Sequence, residues 1–590
     1  MKIRVPTIVK DASVAQVKMA RALIIDEITI TIEEDFFLDG PVTSRLAVVD
    51  FDANGRLGKG VPFDPDSARY VYGDIPDGRV EMNADSQFLA VSVFGTVWKT
   101  LDMFEERDAM GRKVDWAFDA PQLLIVPRAG ELLNAFYERD SHSLQFFYQT
   151  GESGRVLITA ASQDIVAHET AHAILDGIAP DLYSAITPQS LALHESIADL
   201  TTVLMAFRSR ELAQAILDQT GGSIDYSNAF TWVAREFGQE LQRSSLRDLS
   251  VCVKMSDLSS DGRSDPHKLS EVLSGALYPV LADLFDTLKE EFRGDESPNR
   301  APAKGYDRVA VAEVDKDNVR SFGESPTVHG EMATWMKALY VAGERFKRII
   351  YRALDYLPPG DVTFADYGRA IIASDEVSHP DSGAERRHIT ETFIDRGIVA
   401  TAKELGRRTR PTKREVRDIG ELDLEMLKES DWVAYEFANS HRRLLGIPKG
   451  LPFRVRPRQD VTRNYYHRGV KEPIPVRECL FKVSWNEEED NPIGNGLPSR
   501  RQLVRGTTLA IDWETKQVRV CLTGNPAPAA AERDAFLKGL ISRGLLADGL
   551  SLSGEHPSLP GEIRVERVGD AMRVRGASSM LHFHGVEGSS

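Results

Sequence analysis

Asp164-Ile-Val-Ala-His168-Glu169-Thr170-Ala171-His172 is the stretch on which the reading of the whole chain turns. On an α-helix, residues four apart share a face, so His168 and His172 point the same way and can chelate one metal ion. Glu169 adjoins the first imidazole, where it reaches a metal-bound water without displacing it. Catalytic zinc takes three protein ligands and keeps one position for water. A third histidine six residues on is excluded, because the positions that would need Gly and His hold Leu175 and Ile178. The other solution is a carboxylate from a second helix. Gly177 is expected to end the first helix, and Thr187-Pro188 reads as the N-cap and first residue of the next. That helix carries Leu193-His194-Glu195-Ser196-Ile197-Ala198-Asp199, in which Glu195 and Asp199 share a face. Glu195 is the expected third ligand, with Asp199 behind it accepting the free ring N–H of a zinc histidine. His194, turned about 100° from Glu195 around the helix, is expected on the rim. Asp164 is expected to cap its helix.

With these residues the chain resembles the thermolysin-like neutral metallopeptidases, the gluzincin group, and the resemblance runs from about residue 85 to 400. It implies an α+β, two-lobe core with one catalytic Zn²⁺ between the lobes, bound by His168, His172 and Glu195, with Glu169 activating water. Asn134-Ala135-Phe136-Tyr137 is similar to the family's edge strand, which implies that Asn134 and Ala135 hold a substrate peptide by strand addition. Tyr183, eleven residues past His172, and His267, in Asp265-Pro266-His267, fall where the family places its two oxyanion donors. Asp176 matches a family Asp behind the site, and Arg247 resembles the arginine that meets a substrate carbonyl, although its spacing to His267 is shorter. Ile165 and Leu246 fall where the family lines an apolar pocket for the residue after the scissile bond. The family's paired calcium site is not expected, because its second acidic position is held here by Ala206, beside Phe207-Arg208.

The implied activity is metal-dependent hydrolysis of peptide bonds, with a protein or peptide as substrate. The alternative is an idle zinc protein that binds a partner. Against it stands the joint presence of three ligands, a base and oxyanion donors, since a structural zinc site is normally closed by a fourth protein ligand.

The rest of the sequence sets the frame. At 590 residues the chain is too long for one core and predicts three or four domains. A net charge of −17 argues against a surface built wholly for nucleic acid. Three dispersed cysteines make neither a disulfide framework nor a metal ribbon. Cys252, flanked by valines, is expected in the core. The opening residues lack the apolar core of a signal peptide and no stretch is long enough to span a bilayer, so the expected location is cytoplasmic.

Residues 1–160 alternate strand-like runs with turns around one apolar helix near 86–107, and residues 161–400 turn helical. The run 401–414 is rich in arginine and reads as a linker, while 415–590 predicts an α+β accessory module, a place for a regulatory partner. Residues 401–480 hold 18 Lys+Arg against 12 Asp+Glu, and with Tyr465, Tyr466 and His467 this raises nucleic acid as a partner; a solvated face is the preferred reading.

Overall fold

The computed structural model describes the chain except residues 1, 11–23, 33–35, 53, 77, 152–153, 186, 241–244, 296–329, 382, 407–408, 467–472, 495, 526–529, 543–545, 548–562 and 576–590. It is an α+β structure. His467 and part of the arginine run (Arg407 and Arg408) lie outside the described residues.

In the first 160 residues, Lys2–Ile8 and Ile25–Thr31 form an antiparallel hairpin. It lies on the Ser86–Glu105 helix so closely that a Cβ at Gly95 would meet Val5 and Thr7 at 2.8 Å. That helix is apolar around most of its circumference, which is the pattern of a helix covered on all sides. A four-stranded sheet follows in the order Leu46–Val48, Leu123–Val126, Ser143–Phe146, Ala135–Glu138. Ala135–Glu138 is therefore an edge strand, antiparallel to its single neighbour in that sheet.

From Gln163 onward helices dominate. Gln163–Ile178 and Pro188–Phe207 pack together at the centre, and Pro266–Asp295 and Glu331–Tyr356 pack around them. Two side-chain hydrogen bonds register the second helix against its neighbours. Ser196 Oγ donates to the Ser270 carbonyl at 2.9 Å, and the Thr201 and Tyr351 hydroxyls are paired at 2.8 Å.

Residues beyond 450 form an eight-stranded sheet around the long hairpin Ile474–Asp490 and Arg500–Asp512. Alternation along the first strand of that hairpin assigns its two faces. Cys479, Phe481 and Val483 point under the helices Lys413–Gly420, Leu424–Glu429 and Asp431–Ser440, making a third core. Glu478 and Leu480 point the other way, and Leu480 joins the core that contains the paired central helices. Farther along, Leu503, Phe536, Leu537 and Val574 join the core of the first 160 residues. The expected accessory module is thus packed against both preceding regions. One face of its sheet carries a core of its own, and residues from the other face join the cores of the two preceding regions.

Candidate metal centre

The Gln163–Ile178 helix starts at Ser162, whose side chain accepts from the Ile165 N–H at 3.4 Å. The expectation that Asp164 caps it is corrected. A cap residue has extended backbone, whereas Asp164 is already inside the helix, and its carboxylate lies 2.5 Å from Lys10 Nζ in a fully buried ion pair. Gly177 does not end the helix either, since the helix continues through Ile178. Pro188 opens the second helix as expected, although Thr187 makes no side-chain cap bond.

Both helices are buried along almost their whole length, so the polar side chains they carry converge inside protein. His168 and His172 leave the first helix on one face with their Nε2 atoms 3.1 Å apart. Glu195 comes from the second helix, with one carboxylate oxygen 3.5 Å from His168 Nε2 and the other 3.4 Å from His172 Nε2. One ligand atom from each residue lies within 4.8 Å of the others, a group that could hold a metal ion.

The partners of the imidazoles show why the Nε2 atoms face inward. Asp199 Oδ1 sits 3.1 Å from His168 Nδ1, and His194 Nδ1 sits 3.4 Å from His172 Nδ1. Two Nε2 atoms and a carboxylate thus meet at one point that favours a cation, a preference Arg247 already meets in part, its guanidinium lying 3.1 Å from Glu195 and 3.4 Å from His168 Nε2. Without a metal, His168 itself carries that charge. Burial opposes its protonation, but Asp199 and Glu195 outweigh burial and hold its pKa at about 9. His172 moves the opposite way, to about 4, chiefly through burial. Burial would raise the Glu195 carboxyl, but His267 and Arg247 hold it well below the usual carboxylate range. A divalent ion here would displace a proton, so its affinity falls as pH falls.

Glu169 stands beside this group. It is 2% exposed, its Oε2 accepts from the Tyr137 N–H at 3.1 Å, and burial pushes its carboxyl up to about 8. A cleft opens over it. Asn134 and Ala135 line one wall beside His168 and Glu169; Ile165, Val233, Ala234, Phe237 and Leu246 give an apolar pocket; Arg247 and His267 complete the lining.

The structure brings most of the sequence-predicted residues together. Arg247 is ion-paired with both acidic side chains of the second helix, its Nε 2.7 Å from Asp199 and its Nη1 3.1 Å from Glu195, while lining the cleft. His267 starts the Pro266–Asp295 helix, with its N–H donating to Asp265 Oδ1 at 3.0 Å and its Nε2 3.7 Å from Glu195. Tyr183 is placed differently. It is 2% exposed in a short turn, its ring lies 4.2 Å from that of His194, and it does not line the cleft. Asp176 does not meet either imidazole of the ligand group. It accepts from Tyr137 Oη at 2.8 Å and Arg139 Nε at 2.7 Å, tying the edge strand to the helix. Cys252 is exposed, not core, with Arg396 on its sulfur. His194, expected on a rim, is fully buried, because the helix that carries it has no solvent side.

Sequence reasoning missed the backbone N–H of Tyr137 and the ammonium of Lys10, and no local signal points to either. The burial of His194 could have been read from the apolar residues on every side of its helix. No protein-family model matches the chain, and no curated protein does. Among the described residues, no helix is long and apolar enough to cross a membrane.

Proposed function

We propose that the chain is a zinc-dependent endopeptidase with a thermolysin-like two-lobe core, acting on protein or peptide substrates. The observation that carries this reading is the division of labour among adjacent residues. His168, His172 and Glu195 converge as a ligand group, while Glu169 faces the same cleft and stays outside that group. Two imidazoles and a carboxylate are a donor set for zinc with a coordination position left over.

When bound there, zinc would polarise the scissile carbonyl and acidify a coordinated water. Glu169, oriented by the Tyr137 N–H, is the base in its ionised form, which burial holds to about pH 8 and above and a cation bound beside it would extend to lower pH; it accepts the proton of the attacking water and returns it to the leaving amine. His267, half-buried at the cleft, supplies a donor for the developing oxyanion. Tyr183 has no such role in this reading, since it lies outside the cleft wall. Strand Ala135–Glu138 offers its edge to an extended peptide, with Asn134 at its start. Arg247, fixed by Asp199, meets a substrate carbonyl, and the apolar pocket takes a large apolar side chain after the scissile bond.

The test joins metal analysis to kinetics. Wild-type protein is expected to hold about one zinc per chain and to cleave casein or unstructured peptides. Glu169→Gln keeps the zinc and loses about 10²–10⁴ in kcat. His168→Ala loses both. Zinc retained by a wild type that cleaves nothing would favour the alternative, a partner-binding zinc protein.

A further inference from the structure

Lys10 lies far from the cleft in sequence and just past the first strand, yet its side chain is fully buried. Its Nζ lies 2.5 Å from Asp164 Oδ2 and donates to the Trp232 carbonyl at 2.9 Å. The same Asp164 oxygen accepts the Ala234 N–H at 3.1 Å. One ammonium and one carboxylate therefore grip residues 232–234 from beneath and hold them to the first turn of the helix that bears His168.

That grip falls on a strained point. Ala234 has φ of 46°, in the left-handed region that a residue with a Cβ occupies only when its surroundings enforce it. Val233 and Ala234 line the cleft, and Trp232–Val233 pairs with Arg247–Asp248, so Val233 sits opposite Arg247. We infer that Lys10 is a positioning residue: through Asp164 and the Trp232 carbonyl it sets the apolar wall of the cleft and the strand that carries Arg247. A buried ion pair between distant segments contributes little stability beyond that of an apolar pair of the same volume, so its use here is to fix geometry.

Hydrogen exchange tests this directly. Lys10→Met with Asp164→Asn replaces the pair by neutral side chains of similar size. Peptides covering 230–238 and 245–249 are expected to exchange about tenfold faster or more, while 166–176 and the zinc content stay as in the wild type. In kinetics, KM for a peptide with a large apolar residue after the cut rises about tenfold with a smaller change in kcat, the signature of a displaced binding wall. Lys10→Arg, which keeps the cation, is expected to recover part of both effects. If the double variant does not fold, Lys10→Gln with Asp164→Asn keeps polar groups at both positions without leaving a buried charge unpaired, and is expected to give a smaller deprotection of the same segments. Unchanged exchange at 230–238 in a folded variant overturns the inference. The kinetic half rests on the peptidase reading and the exchange half does not, so faster exchange in a protein that never cleaves would sink that reading and leave the clamp standing.

Discussion

At His172 the ring is oriented by a residue one position before Glu195, the carboxylate of the candidate metal group. For Nε2 to face Glu195 with its lone pair, Nδ1 must carry the proton and donate it to His194 Nδ1, 3.4 Å away. His194 is sealed between His172 and Tyr183, with no water-facing side. His194→Phe is expected to keep the volume, remove the acceptor and weaken zinc binding about 10–100-fold in chelator competition. His194→Asn, which leaves an acceptor near the same place, is expected to stay within a few-fold of wild type. The two imidazoles were legible because i, i+4 spacing on a helix is a local property, and Glu195 because it shares a face with Asp199 on the next helix. The partner of His172 was not, since adjacent helix residues diverge and only burial folds them back onto one site.

Among the elements, the Gln163–Ile178 helix shows how a local signal can carry the wrong meaning. Gly177 reads as a helix end, yet it is the point where the helix is approached by another backbone. A Cβ there would lie 2.0 Å from the Asp115 carbonyl oxygen and 3.2 Å from Val114 Cγ1. Gly177→Ala therefore forces the 114–116 segment away despite the better helix propensity of alanine. The expected cost is about 1–3 kcal/mol in denaturant melts. An increase in stability would show that the close approach is not what selects glycine. The buried helix expected near 86–107 spans Ser86–Glu105 and several of the short strands fall on strand-like runs, whereas the pair Lys2–Ile8 and Ile25–Thr31 was not read from the sequence. The pairing order of the strands was not legible either, because it depends on contacts between separated segments.

Taken whole, the molecule is held together across the 400 boundary by a buried charge network. Asp355, on the Glu331–Tyr356 helix, binds Arg112 at 2.8 Å and also Arg463 of the C-terminal sheet. Arg463 donates to the Met110 carbonyl at 3.0 Å, and Tyr356 Oη donates to Glu478 at 2.8 Å. Asp355 and Arg463 are both inaccessible to water. Arg463→Met leaves the buried Asp355 with Arg112 as its remaining cation and is expected to cost about 3 kcal/mol, read from chemical denaturation. A chain cut after residue 410 is expected to melt well below wild type or aggregate, since the face that receives Leu480 would be bared. A cut chain as stable as the full one would show that the tail is a separable unit after all.

The sequence by itself determined the α+β class, the buried helix of the first 160 residues, and the candidate metal-binding residues His168, His172 and Glu195 with Glu169 beside them. The class follows from periodicity, and the pairings His168 with His172 and Glu195 with Asp199 follow from spacing within each of two helices, where backbone geometry translates residue number into direction. The tertiary structure alone decided that Lys10 reaches under the cleft, that a strand N–H bonds Glu169, that Tyr183 packs on His194 instead of lining the cleft, and that the C-terminal sheet adds to the cores before it. Those are contacts between distant segments, and they are set by how whole faces pack, which no local pattern encodes.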